Sequence, residues 1–168
     1  MKHSLALKSL AVYAGCLLVC FIAAAIGAVA SAGAPEFYQH LARPSWAPPP
    51  WLFGPVWSVL YTLIGVAVGL ITTLPADRRP RVVRALGLFW IQLALNALWS
   101  WLFFAWHQGA LACGEIVVLW ILIAATLRSF WGLRPAAALL LIPYLVWVTF
   151  AAVLSWFIWR LNPALLGG

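Results

Sequence analysis

Five long apolar stretches most constrain how this chain can fold. They run roughly over residues 10–34, 55–74, 82–105, 110–127 and 136–159, and each is long enough to cross the hydrocarbon core of a bilayer as a helix. The 168 residues are 66% hydrophobic and 8% charged, with a mean hydropathy of +1.03. A water-soluble domain of this size could not cover so much apolar surface. The sequence therefore predicts an integral, multi-pass membrane protein, an all-α bundle of five transmembrane helices that forms a single domain over residues 1–168.

The first apolar stretch has a second interpretation, as a secretory signal peptide. Lys2 and Lys8 precede it, and small residues end it. It is about 25 residues long, however, whereas the apolar core of a signal peptide has about 7–15 residues. We therefore interpret it as the first transmembrane helix.

The net charge of +7 follows the predicted topology. By the positive-inside rule the more basic side of the membrane is the cytoplasm, which puts the N-terminus inside and the C-terminus outside. The arginines between residues 78 and 84 are then topogenic charges near anionic headgroups, and nucleic-acid binding has no remaining support. The cytoplasmic side receives Lys2, Lys8, Arg78, Arg79, Arg81, Arg84, Arg128 and Arg134, and the outer side receives Arg43 and Arg160.

The sequence lacks the usual signatures of enzymatic chemistry. Cys16, Cys20 and Cys113 form neither a paired metal motif nor an even disulfide set, so they are interpreted as small core residues. No catalytic triad, phosphate-binding loop or carboxylate pair can be assembled, and the three histidines lie outside the apolar stretches. No metal ligand, required cofactor or firm catalytic residue is predicted.

A loop dense in proline and tryptophan, residues 35–54, is predicted to cap one end of the bundle. Four prolines between Arg43 and Pro50 fix the backbone φ angle and remove N–H donors, so this part should be stiff and extended. Pro55 lies where the next helix should begin. Trp46 and Trp51 make the loop a candidate lid over a binding site, because a slack linker does not need tryptophans.

The helix after this loop should have a tapered face. Trp57, Tyr61, Gly65 and Gly69 are spaced by four residues and therefore share one side of the helix. The glycine half predicts close packing against a neighbouring helix, and the aromatic half is expected to line an opening.

The third apolar stretch carries two amides among aromatic residues. Gln92, Asn96, Trp99 and Phe103 form one stripe at helical spacing. An amide at this depth must point into the protein, since an unpaired polar group in hydrocarbon costs several kcal/mol. Two interpretations remain open: the amides join helices by hydrogen bonds, or they anchor a ligand.

The last apolar stretch adds a third aromatic face. Trp147 and Ala151 share one side of it with Pro143 and Leu154, and Phe150 lies beside them. Pro143 should kink the helix because it removes a backbone donor. Indole rings from several helices are suited to a flat, conjugated, apolar ligand.

Two further features lie outside these stripes. Glu115 is the one acidic residue inside a predicted span, and it could be held by the adjoining loop or belong to a pocket or proton path. In the first stretch, Ala23, Gly27 and Ser31 recur every four residues, and Ala24, Ala28 and Ala32 form the neighbouring row. Such rows permit close helix contacts in lipid, either within the bundle or in a homodimer.

Several separate blocks of sequence, in order along nearly the whole chain, resemble the TspO/MBR family of tryptophan-rich sensory proteins and translocator proteins, also known as peripheral-type benzodiazepine receptors. The blocks are Arg43-Pro-Ser-Trp46, Pro48-Pro49, Phe53-Gly-Pro-Val-Trp57 with Leu60-Tyr61, Gln92 with Leu95-Asn96, Phe103-Phe104, Pro143-Tyr144 with Trp147, and Trp159-Arg160 with Asn162.

The resemblance implies a dimeric bundle of five helices, here in a bacterial cell envelope, with a pocket beneath the first loop. The ligands it implies are protoporphyrin IX and related tetrapyrroles, haem among them, together with sterols and benzodiazepine-type compounds. In some bacterial relatives, light-dependent breakdown of protoporphyrin is attributed to the tryptophans that match Trp57 and Trp147. The resulting ligand-binding candidates are Trp46, Trp51, Trp57, Tyr61, Asn96, Trp99, Trp147, Phe150 and Ala151.

Three functions therefore remain open. The first is a receptor that senses or traffics porphyrin, the second is an enzyme that degrades porphyrin with light and oxygen, and the third is a sterol or porphyrin transporter. No inverted repeat is visible, which disfavours a coupled transporter. Trp156 stands where the sterol-recognition segment of animal members has tyrosine, which weakens the case for cholesterol.

Overall fold

The computed structural model describes residues 2–167, with side chains described from residue 7 onward. Every regular element in this part of the chain is helical, which confirms the all-α prediction, and five of its helices are long and apolar enough to span a membrane. Two short helices lie in the segments that connect the long ones. The seven helices are α1 (Lys2–Ala30), α2 (Ala34–His40), α3 (Phe53–Thr72), α4 (Arg79–Ser100), α5 (Gly109–Trp131), α6 (Pro135–Leu139) and α7 (Ile142–Leu161).

The long helices pack so that α1 lies against α3 and α4, while α5 lies between α4 and α7. The apolar core contains large side chains that are almost fully buried, among them Ile64, Phe89, Leu119 and Phe130. The bundle has two ends. The arginine end comprises the turns at residues 73–78 and 132–134, and the loop end comprises residues 31–52, 101–108 and 162–167.

The tapered face predicted for α3 is confirmed. A Cβ atom built on Gly65 would lie 2.6 Å from Leu17 Cδ2, and one on Gly69 would overlap the ring of Tyr13. These two glycines therefore let α1 approach α3 closely toward the arginine end. At the loop end of α3, Trp57 and Tyr61 replace the glycines and border a cavity.

The small-residue rows of α1 are used mainly within the chain. Ala23 is buried in the core, and a Cβ atom on Gly27 would lie 3.2 Å from Ser100 Oγ of α4. Ala28 and Ala32 stay exposed. A homodimer formed through these rows stays a prediction.

The last predicted span is interrupted near its start. The chain leaves α6 at Leu139 and begins α7 at Ile142, with Pro143 in the first turn of the new helix. A proline is favoured in a first turn because its missing N–H has no helical partner there. The kink expected from Pro143 therefore takes the form of a break between two helices.

The loop predicted over residues 35–54 is partly helical, which corrects the expectation of a continuous loop. Residues 34–40 form α2, where Pro35 at the start and Glu36 in the first turn favour a helix N-terminus. Pro50–Leu52 form a single 3₁₀ turn, and α3 begins directly after it at Phe53 rather than at Pro55. Within the predicted loop, only residues 41–49 lack regular structure.

Asn162, just beyond α7, fastens this loop to the bundle. Its Oδ1 accepts a 2.8 Å hydrogen bond from the Ala42 N–H, and its Nδ2 donates to the Ala42 carbonyl at 2.8 Å and to the Ile158 carbonyl at 2.7 Å. Both polar groups of one peptide residue are thus satisfied by one side chain 120 positions away in sequence. These hydrogen bonds hold the loop in place over this end of the bundle.

Candidate ligand-binding site

A cavity of about 520 Å³ lies beneath the loop, between α1, α3, α4 and α7. Cavities that bind small molecules usually measure about 300–1,000 Å³. One indole ring comes from each of three helices: Trp57 from α3, Trp99 from α4 and Trp147 from α7. The aromatic stripes predicted from spacing therefore meet at one cavity.

The polar floor of the cavity is a chain of hydrogen bonds that joins three helices. The Tyr61 hydroxyl donates to Asn96 Oδ1 at 2.5 Å, and Asn96 Nδ2 donates to the Tyr144 oxygen at 3.0 Å. The Tyr144 hydroxyl in turn donates to Gln92 Oε1 at 2.9 Å. Tyr61 and Asn96 also line the cavity, whereas Gln92 and Tyr144 lie behind it. Asn96 thus joins helices and also borders the cavity, whereas Gln92 only joins helices. That Asn96 anchors a ligand stays a prediction.

Two indole N–H groups beside the cavity are unpaired. Trp99 Nε1 and Trp147 Nε1 are buried and have no hydrogen-bond partner among the described residues. A buried donor without an acceptor costs about 1–3 kcal/mol. Because both Nε1 atoms are buried, a ligand in the cavity could reach them only after the indole rings shift.

Six of the nine predicted binding residues border the cavity, and three do not. Trp51 is 71% exposed and lies outside the lining. Phe150 packs behind Trp147, with ring centroids 5.4 Å apart, and Trp46 packs edge-on against Phe150 at 5.8 Å. Trp46 and Phe150 therefore form a second aromatic layer that supports the wall. The six that border the cavity are Trp57, Tyr61, Asn96, Trp99, Trp147 and Ala151.

The sequence analysis missed Tyr38, which α2 brings to the cavity. Its side chain is buried, its hydroxyl donates to the Pro48 carbonyl at 3.3 Å, and the Arg43 guanidinium lies 4.6 Å from its ring centroid. Burial raises the pKa of the Tyr38 phenol above its usual value, and Arg43 partly offsets this shift. The helix-start signal at Ala34-Pro35-Glu36 could have revealed α2, and with it this residue.

The junction between α4 and α5 brings Phe104 to the cavity, and the sequence analysis did not predict this residue as part of the site. Residues Trp101–Ala105 form a widened π-helical turn, and His107, two residues beyond it, has a positive φ of 54°. The His107 ring stacks on Phe37 of α2 at 4.2 Å. Such widened turns re-aim side chains and recur at functional sites.

The cavity opens between α1 and α3. The exposed members of its lining are concentrated on these two helices: Phe21, Ala25 and Ala28 on α1, and Gly54 and Ser58 on α3. Because the glycine contacts hold α1 and α3 together only toward the arginine end, the two helices leave a gap near the loop. In a bilayer this gap faces lipid.

Glu115 does not border this cavity. Both of its carboxylate oxygens are buried and have no hydrogen-bond partner among the described residues. The loop contact suggested as one interpretation is therefore not formed. Within the described part of the chain, no three His, Cys, Asp or Glu side chains are close enough to hold a metal ion.

The fold and the cavity define a polytopic α-helical membrane protein with a ligand-sized, aromatic internal site. The model of the TspO/MBR family matches residues 16–160. The chain is 40% identical over 157 residues to protein CrtK of Rhodobacter capsulatus, across 92% of this chain and 95% of that protein. It is 38% identical to the tryptophan-rich protein TspO of Chlorobaculum tepidum, across 93% and 99%, and 37% identical to the human translocator protein, across 79% of each chain. The chain belongs to the TspO/MBR family.

Proposed function

We propose that this protein is a membrane receptor or sensor that binds tetrapyrroles, protoporphyrin IX foremost, in the aromatic cavity beneath the loop. The sensory part of the proposal is supported by a relative from Cereibacter sphaeroides, named tryptophan-rich sensory protein, which is 37% identical over 143 residues. The tetrapyrrole part is supported by the cavity itself.

The observation that carries the proposal is the convergence of Trp57, Trp99 and Trp147 on one cavity. Flat aromatic rings stack on planar conjugated ligands, and each such contact contributes about 0.5–1.5 kcal/mol beyond burial. The ring system of a porphyrin is a planar conjugated surface of this kind.

The propionates would lie toward the loop, where Arg43 supplies a positive charge. Arg43 lies over the Tyr38 ring, and Tyr38 borders the cavity. The guanidinium can pair with a carboxylate that projects past this ring. The conjugated ring system would then occupy the apolar part of the cavity between the indoles.

Titration of protoporphyrin IX into the purified protein tests the proposal, with binding read from the shift of the porphyrin absorption band. The double variant Trp57→Ala, Trp147→Ala should weaken binding by about 1–3 kcal/mol, which is roughly 5- to 150-fold in the dissociation constant. Trp90 and Trp106 are exposed and lie outside the cavity, so Trp90→Ala, Trp106→Ala is the matched control. Equal affinity in the two double variants would remove the proposed site.

A second function is favoured by the position of Trp57 and Trp147, which border the same cavity. Indole is oxidisable, so these residues could take part in a light- and oxygen-dependent breakdown of a bound porphyrin. Illumination of the complex should then yield a new absorbing species faster than illumination of protoporphyrin in detergent alone. Trp147→Phe should slow its formation while porphyrin remains bound. Equal rates with and without protein would exclude this activity.

We also propose that the arginine end faces the cytoplasm of a bacterial cell, because eight of the ten basic residues belong to this side in the topology derived above. Reporter fusions test this orientation. A periplasm-active phosphatase fused after Gly168 should be active, and the same enzyme inserted after Ala76 should be inactive. The reverse pattern would refute it.

A further inference from the structure

A second cavity, of about 390 Å³, lies at the arginine end between the start of α4 and the end of α5. Arg81 and Arg84 reach it from α4, and Arg128 reaches it from α5. The rest of its lining is formed by the last turn of α5 and the turn that follows, namely Ser129, Trp131, Gly132 and Leu133.

No acidic side chain borders this cavity. The chain has three acidic residues, Glu36, Asp77 and Glu115, and none of them is in the lining. Arg78, the nearest arginine in the preceding turn, is already engaged, since its Nη1 donates to the Leu133 carbonyl at 3.0 Å. Three like charges around one cavity repel each other unless an anion lies between them.

The membrane side of the cavity is apolar and exposed. Toward the bilayer centre α4 presents Ile91, which is 54% exposed, and α5 presents Ile121, which is 55% exposed. The two helices pack against each other. Trp131 at the rim is 51% exposed, and tryptophan in this position is typical of the membrane–water interface.

We propose that this cavity binds the phosphodiester headgroup of an anionic phospholipid, with its acyl chains against the exposed apolar faces of α4 and α5. Guanidinium groups match phosphate geometry and can form two parallel hydrogen bonds to it. Ser129 adds a hydroxyl at the same place.

A lipid fits the site better than a soluble anion because of where the charges lie. Arg84 is one turn inside α4, and Arg128 is one turn before the end of α5, so both sit at the ends of predicted membrane spans. The phosphates of the surrounding leaflet lie at the same height. A soluble phosphate would gain nothing from the apolar surface that continues from the cavity along both helices.

Native mass spectrometry of the full-length protein in detergent tests this proposal with two lipids that have identical acyl chains, phosphatidylglycerol and phosphatidylcholine. Phosphatidylglycerol should bind in preference. Two arginines at about 1 kcal/mol each predict that Arg84→Gln, Arg128→Gln lowers its association constant about 30-fold. The matched control is Arg79→Gln, Arg134→Gln, which removes the same charge at the same end from residues outside the lining. The control should retain most of the affinity.

Two results would overturn the proposal. If both double variants lose phosphatidylglycerol equally, the arginines act only through overall charge and no specific site exists. If inorganic phosphate at the concentration of the lipid displaces it from the wild-type protein, the cavity is a site for soluble anions. Circular dichroism of the variants verifies that the helices remain folded, which is expected because these arginines are exposed.

Discussion

Asn96 is the residue on which the cavity floor depends. Its amide accepts from Tyr61 of α3 and donates to Tyr144 of α7, so a single side chain on α4 links three helices. In hydrocarbon these groups have no water to replace a lost partner. The network therefore both orders the floor of the site and joins the helices around it.

Asn96→Ala should lower the free energy of unfolding by about 1–3 kcal/mol, because it leaves the buried Tyr61 hydroxyl without its acceptor and removes the donor to Tyr144. Tyr61→Phe should cost less, since it removes one donor from the network. A double-mutant cycle in detergent, read from thermal unfolding, should give a coupling energy of about 0.5–3 kcal/mol. Additive effects of the two substitutions would show that the hydrogen bond contributes nothing.

Glu115 presents the opposite situation, a polar group that the fold leaves unsatisfied. Its buried carboxyl group has no described partner, and a buried polar group without one costs about 1–3 kcal/mol. Glu115→Met has a similar length and removes the unpaired oxygens, so it should raise the unfolding free energy by about 1–3 kcal/mol. Ligand affinity should not change, since Glu115 lies outside the cavity. A destabilised Met variant would mean that the carboxyl group is held by a partner.

At the scale of helices, the close contact between α1 and α3 depends on Gly65 and Gly69, which have no side chain to separate the two backbones. Gly65→Ala would place a methyl group 2.6 Å from Leu17 Cδ2 and 3.1 Å from Leu17 Cα, and the backbone of α1 would have to move. Overpacking of this kind costs about 1–3 kcal/mol.

Gly87→Ala on α4 is the control for this substitution. Nothing lies within 4 Å of the new methyl group there, and alanine is favoured over glycine in a helix by about 0.8–1.0 kcal/mol. Thermal unfolding should therefore move in opposite directions for the two variants. Equal shifts would contradict the tight packing of α1 on α3.

The cover over the site depends on Asn162. Asn162→Ala removes both hydrogen bonds to Ala42, which contribute about 1 kcal/mol each. Hydrogen exchange at the Ala42 amide should become roughly 10- to 30-fold faster, and porphyrin should dissociate faster.

Asn162→Asp tests the two hydrogen bonds to Ala42 separately. It keeps the acceptor for the Ala42 N–H but loses the donor to the Ala42 and Ile158 carbonyls. Its exchange rate should lie between those of the wild type and the Ala variant. Unchanged exchange in both variants would mean that the loop is held elsewhere.

For the whole molecule, hydrophobic length and spacing were enough to predict the bundle and most of the site. Residues spaced by three or four positions share a helix face, so Trp57 with Tyr61 and Asn96 with Trp99 could be placed before their neighbours were known. Spacing does not show how two segments meet across a loop. Trp51 points away from the cavity, Trp46 forms a second layer, and Tyr38 enters through a helix in the predicted loop, because each depends on the path of residues 34–52.

The gap between α1 and α3 determines how affinity has to be measured. A ligand that enters through this gap comes from the lipid phase and not directly from water. A strongly apolar compound reaches a much higher concentration in the lipid phase than in the surrounding water. The same protein should thus require more total porphyrin for half-saturation when extra vesicles are added, since added lipid dilutes the ligand in that phase. Dissociation constants for this site should be expressed as a mole fraction in lipid, and values quoted per litre of buffer will differ between preparations without any change in the protein.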